Sequence, residues 1–132
     1  MNTISASMQY GVQGLNVHSW GMMTSAHNLA NVNTAGFKPQ HPVLATGWNG
    51  LGVQVDAVVQ DVTSTGQQPA SVRSTAMLGA SETVAPELQY PGNTDVAREN
   101  VNMGIAHFGY AANAKLVDTA DAMLGYVLDM KA

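Results

Sequence analysis

Four histidines are the first candidates for chemistry in this 132-residue chain: His18, His27, His41 and His107. No two of them stand at the i, i+4 spacing of an HExxH zinc helix, and the chain has no Cys to complete a thiolate site. His18 and His107 fall in different expected helices. The reading that suits all four is polar residues at helix or subunit interfaces, where a cluster would make assembly respond to pH. Ser and Thr are abundant, but no GxSxG elbow or SxxK frames a nucleophile. The stretch Gly47-Trp48-Asn49-Gly50-Leu51-Gly52 is glycine-rich like a phosphate cradle. It lacks the GxGxxG order, the P-loop Lys and a following helix, so it reads as a turn. Asp118 and Asp121 stand one helical turn apart, but a general acid/base pair needs burial, and Lys115 nearby points to a solvated helix face. No enzyme signature emerges. No cofactor, metal or small-molecule substrate is expected.

With no residue set for bond chemistry, the informative feature is the pair of elements at the two ends. Met1, Met8, Leu15, Met22 and Leu29 recur every seven residues. Val101, Ile105, Phe108, Ala112, Leu116, Ala120, Met123, Val127 and Met130 recur mostly at three and four. Both patterns predict long helices with one apolar stripe. The first runs from about Thr3 to Ala30, and Asn28 to Gly36 supplies the residues that accept a left-handed stop. Pro39 and Pro42 then prevent the helix from resuming. The second starts near Asn93-Thr94-Asp95, with Thr94 or Asp95 as cap, and about 37 residues would span roughly 55 Å. Gly11, Gly14 and Gly21 in the first helix and Gly104 and Gly109 in the second each cost about 1 kcal/mol relative to Ala, so the isolated helices are expected to be weak. Gly11 and Gly14 share a face on which a neighbouring backbone can come close.

The middle has a different texture. Gly52 to Val58 alternates and is β-branched, which predicts a strand extending towards Val62, after a turn at Asn49-Gly50. Thr63 to Pro69 reads as a loop, and Val72–Leu78 and Thr83–Tyr90 as short strands or extended segments. The expected fold is mainly α: long N- and C-terminal helices paired as an antiparallel coiled coil, with a small irregular β-containing middle.

Composition limits the function. Nine acidic and five basic residues give a formal charge of −4, without the basic stripe that phosphate binding needs, so nucleic acid is not an expected partner. Charged residues make up 11%, against about 25% in ordinary soluble domains, so apolar faces are expected to be covered by partners. Eight Met, adaptable in packing, agree with that. No apolar run approaches the ~18 residues of a membrane span, so insertion into a bilayer is not expected. The N-terminus has no basic n-region or apolar h-region, which predicts either a cytoplasmic protein or export without a cleaved signal.

Two segments resemble a known family. Ala26-His27-Asn28-Leu29-Ala30-Asn31-Val32-Asn33-Thr34-Ala35-Gly36-Phe37-Lys38 is similar to the N-terminal signature of the bacterial flagellar rod and hook proteins, Asn-Asn-Ile-Ala-Asn-Val-Asn-Thr-Pro-Gly-Phe-Lys. Asp95 to Met103 and Tyr110 to Leu124 resemble that family's C-terminal helix. Together they cover about half the chain, at both ends and in the family's order. The short middle, with Gly52-Val53-Gln54-Val55 leading to Val59-Gln60-Asp61, is most like the small proximal rod proteins. The chain departs from the pattern at Ala35, where the family has Pro, at His27, where it prefers Asn, and at Ala106 to Tyr110, where the usual Gln and Arg are lost.

The resemblance implies a structural subunit of the flagellar basal-body rod. It would be exported unfolded by the flagellar type III apparatus and polymerise in the periplasm with itself and other rod subunits into a torque-transmitting tube. Residues 1–36 and 93–132 would form the helical layer and residues 37–92 the small middle segment. Met8, Leu15, Met22 and Leu29 would meet Val101, Ile105, Phe108, Leu116, Met123 and Val127 at the helix and subunit seam. Asn28, Asn31, Asn33, Gly36 and Phe37 would form the turn that leaves the layer, with Gly36 supplying backbone freedom and Phe37 an anchor in an apolar pocket. Tyr110, Asn113 and Asp121 carry the C-terminal motif. The competing expectation is a discrete helical adaptor or chaperone-like module of the same export system, which would stay soluble instead of forming filaments.

Overall fold

A computed structural model describes residues 2–61 and 92–130. The chain is mainly helical. Helix α1 spans Asn2–Ala30, strand β1 Gln40–Thr46, a single 3-10 turn Trp48–Gly50, strand β2 Val53–Gln60, and helix α2 Val96–Asp129. The expected extended segments at Val72–Leu78 and Thr83–Tyr90, the loop at Thr63–Pro69 and the extension to Val62 lie outside the described residues.

The helices pack along their length and run antiparallel. Val117 lies opposite Gly11, Asn113 opposite Gly14, Gly109 opposite His18, Ala106 opposite Gly21 and Glu99 opposite Asn28. Seven residues forward on α1 therefore match seven backward on α2, the register of a heptad seam. That seam is built from small and polar groups. A Cβ added at Gly11 would come within 2.6 Å of Val117 Cγ2, and one at Gly14 would collide with the Asn113 side chain. The His18 imidazole occupies the notch left by Gly109. The expected close approach at Gly11 and Gly14 is thus present. Among the described residues, besides Gly11, Gly14, Pro39 and Gly47, the buried ones are Val17, Ala106 and Ala120 of the apolar side chains and Thr24, Ser25, Asn28 and Glu99 of the polar.

This corrects the expected seam within the chain. Val101 and Ile105 are each 62% exposed and Phe108 is 75% exposed, and Met123 and Val127 are also open to solvent, whereas Leu116, though 45% exposed, keeps its place in the seam with its Cδ2 against Gly11. Met8, Leu15, Met22 and Leu29 are half-buried. The physical reason is distance. Glycines facing Asn113 and Ala106 let the helix axes come close, and bulky side chains at those positions would hold them apart. The large apolar residues are therefore displaced around each helix.

The glycines differ accordingly in what they cost. Gly14→Ala is expected to destabilise the chain by roughly 1–2 kcal/mol, because the new methyl must displace the Asn113 side chain in a packed seam. Gly104 and Gly125 have nothing within 4 Å of an added Cβ. Gly104→Ala should therefore stabilise by about 1 kcal/mol through helix propensity alone. Urea unfolding of the two variants should give opposite signs.

Capping follows local chemistry. Asp95 is the N-cap of α2, and its carboxylate accepts hydrogen bonds from Ala97 N at 3.0 Å and Arg98 N at 3.1 Å. Glu99 lies in the first turn, where the helix dipole favours a negative charge. α1 contains no Asp, Glu, Lys or Arg in its 29 residues.

β1 and β2 form an antiparallel hairpin. Asn49 and Gly50 take φ values of 61° and 75° at its tip, the left-handed geometry that Asn-Gly favours. The glycine-rich stretch is therefore a turn, as expected. Val43 pairs with Ala57 and Leu44 with Val55, so Asp56 is the extra residue of a bulge. Pro39 and Pro42 were expected only as barriers to a helix. Pro42 also sits within β1, opposite Val58, where a two-stranded ribbon leaves room for a residue without an N–H.

Candidate interaction surface

The Asn-rich turn and the start of α2 meet in one buried knot. Asn28 is fully buried. Its Nδ2 donates to Gln40 O at 2.8 Å, and its Oδ1 accepts from Gln40 N at 2.8 Å. The side-chain amide thus pairs with both main-chain groups of Gln40 as a neighbouring strand would. The same Nδ2 donates to Glu99 Oε1 at 3.0 Å across 71 residues of chain. Glu99 is 2% exposed, and its Oε2 has no hydrogen-bond partner among the described residues. One side chain therefore ties the end of α1 to the start of β1 and the first turn of α2. Sequence reasoning singled out Asn28 as part of a turn but did not find Glu99 as its partner.

The rest of the turn follows from its residue types. Asn31 Nδ2 donates to His27 O at 3.0 Å and Thr34 Oγ1 to Asn31 Oδ1 at 3.2 Å, closing the end of α1. Phe37 N donates to Thr34 O across Gly36, which has φ 70°. The requirement for Gly at position 36 is therefore real. Phe37 is half-buried with its ring edge-on to His27 at 5.5 Å, so a histidine forms at least part of the surroundings expected to be an apolar pocket. Phe37 O accepts from Asn93 N at 3.2 Å and Pro39 O from Asp61 N at 2.8 Å. Asn33 is exposed.

On α2, Asn113 Nδ2 donates to Gly109 O at 2.8 Å while its side chain faces Gly14, so it belongs to the seam. Tyr110 and Asp121 are exposed. Lys115 Nζ and Asp118 Oδ2 form a solvated ion pair at 3.2 Å, with side chains 82% and 72% exposed. This is the open helix face that the sequence suggested for these residues. His18 meets Gly109 in the seam, whereas His107 is exposed beside the Phe108 ring.

Two grooves lie between α1 and the hairpin. One, of about 370 Å³, is lined by Gln13, Trp20, Trp48 and Val55 among others, with no ionisable side chain in its wall. The other, of about 420 Å³, includes His27 and Thr24. The Thr24 hydroxyl donates to Trp20 O and Gly21 O at 3.0 and 3.1 Å, so it is engaged with its own helix and not held by a base. Among the described residues no group of three or more His, Cys, Asp or Glu could hold a metal ion, and no helix is long and apolar enough to cross a membrane.

What the arrangement presents is contact area. Val101, Ile105, Phe108, Leu116, Met123, Val127 and Met130 form an uncovered apolar stripe along α2. No protein-family model matches the chain, and no curated protein matches it.

Proposed function

We propose that this chain is an axial structural subunit of the flagellar rod type, which polymerises through its paired terminal helices. The observation that carries the reading is the Asn28–Glu99 hydrogen bond. It joins the two sequence segments that carry the family resemblance and makes the chain's ends one unit. The apolar side chains left open on that unit suit a protein that completes its packing with neighbours. Heterologous contacts that do not close generate open helical assemblies, which is what a tube requires. On this reading the protein is not an enzyme. It is exported without a cleaved signal and works in the periplasmic part of the basal body, and its partners are further copies, other rod subunits and the export apparatus.

The test combines cells and purified protein. Deleting the gene should abolish motility and leave basal bodies without a complete rod, and the protein should copurify with intact basal bodies. Purified protein should pass from monomer to sedimenting polymer as its concentration rises. A discrete soluble species at every concentration, with normal basal bodies in the deletion strain, would favour the adaptor reading.

A further inference from the structure

The exposed face of α2 and the partly exposed face of α1 share a repeat that the seam between them does not have. On α2 the positions 101, 105 and 108 return as 112, 116 and 119 and again as 123, 127 and 130. They read Val, Ile, Phe, then Ala, Leu, Thr, then Met, Val, Met, and all nine are exposed. On α1 the set Ile4, Met8 and Val12 returns as Leu15, Ser19 and Met23, then as Ala26 and Ala30, all exposed or half-buried. Each stripe steps by eleven residues and contains one hydroxyl residue and no charge. The seam steps by seven.

The period decides how such faces meet. A seven-residue repeat winds two helices left-handed, whereas an eleven-residue repeat, about 3.67 per turn, favours nearly straight contact with a slight right-handed crossing. A face of one period matches another of the same period along its whole length. Direction matters as well. At about 100° per residue, and because α2 runs opposite to α1, the two stripes leave the helix pair on roughly opposite sides. On α1 the hairpin packs, through Gln13 and Asn28, on a face turned away from the α1 stripe. Neither stripe can therefore reach the other within one chain, but the α2 stripe of one copy can receive the α1 stripe of the next.

We propose that these two stripes are the complementary halves of one heterologous contact, and that its occupant is a second copy of this chain. The inference rests on the axial reading and names the faces through which it works. Each stripe is about 40 Å long and roughly 10 Å wide, or about 400 Å². That is half of the ~800 Å² per partner in a standard stable interface. One contact alone is therefore weak, and dilute protein is monomeric. Because every copy carries both halves on opposite sides, the contact repeats without closing.

The natural absence of cysteine makes the test clean. Met23→Cys on α1 and Ile105→Cys on α2 both replace exposed residues, 53% and 62% accessible. Each variant alone, and the two mixed, are treated with a flexible bis-maleimide at a concentration where wild-type protein sediments as polymer. The expected result is dimer crosslinking several-fold higher in the mixture than in either variant alone. Asn100→Cys, exposed elsewhere on α2, should give no such gain with Met23→Cys. Equal crosslinking in the single-variant samples would mean like faces meet, and would overturn the proposal. No crosslink in the mixture while wild-type protein still polymerises would also overturn it, with the axial reading left standing. Wild-type protein that never sediments would sink both.

Discussion

Asn28→Ala is expected to cost roughly 3–4 kcal/mol of folding stability, the largest effect of any single truncation among the described residues. The fully buried side chain makes three hydrogen bonds within 3.0 Å, two to the backbone of half-buried Gln40 and one, itself buried, to Glu99. Each buried group left without its partner costs about 1–3 kcal/mol, more than the bond itself contributes. Removing the amide strands the N–H and C=O of Gln40 and the Glu99 carboxylate together. A domain has only about 5–15 kcal/mol in total, so urea unfolding should show a much lower midpoint. Glu99→Gln keeps an oxygen for Asn28 Nδ2 and should cost under about 1 kcal/mol. Combining Asn28→Ala with Glu99→Ala should show a coupling of about 1–2 kcal/mol, because the two side chains share a bond. A loss below about 0.5 kcal/mol for Asn28→Ala would show that the knot is not what holds the hairpin and α2 to the end of α1.

Phe108→Asp is expected to leave the folded monomer intact and to abolish its assembly. Phe108 is 75% exposed, so the substitution places a charge in water in the free chain. Helicity and unfolding midpoint should stay within about 0.5 kcal/mol of wild type, as for ordinary surface changes. In the assembled state the same carboxylate would be buried in an apolar contact without a partner, a cost of several kcal/mol. A loss of about 2.7 kcal/mol alone raises the concentration needed for polymer by roughly 100-fold. Met123→Asp, on the same stripe and 45% exposed, should behave alike. Circular dichroism and sedimentation on the same samples separate the two effects. A variant that unfolds would restore these residues to the intramolecular seam, and one that polymerises normally would remove the α2 stripe from the subunit contact.

These variants also mark where reading the residues stopped. Helix positions, a cap at Thr94 or Asp95, the turn at Asn49-Gly50 and the need for Gly36 were legible because each rests on a local rule of periodicity, side-chain capping or left-handed backbone, and the fold settles the cap on Asp95. β1 was missed because Pro39 and Pro42 hid its pattern and its pairing partner lies across a turn. Glu99 was missed because a carboxylate in a first helical turn already has a sufficient local explanation in the dipole. Only its 71-residue separation from Asn28, closed in the fold, gives it a second role.

Periodicity and composition were enough to place long helices in the two terminal segments, to show that glycines on the first allow close approach, and to show that large apolar residues recur on both. Which faces those helices turn to each other was settled by packing in three dimensions. Periodicity identifies an apolar stripe but not its partner, and two faces competed for the seam. Close packing gave it to Gly11, Gly14, Gly21, Ala106 and Gly109, because small residues let the backbones approach. Val101, Ile105 and Phe108 were thereby left in solvent.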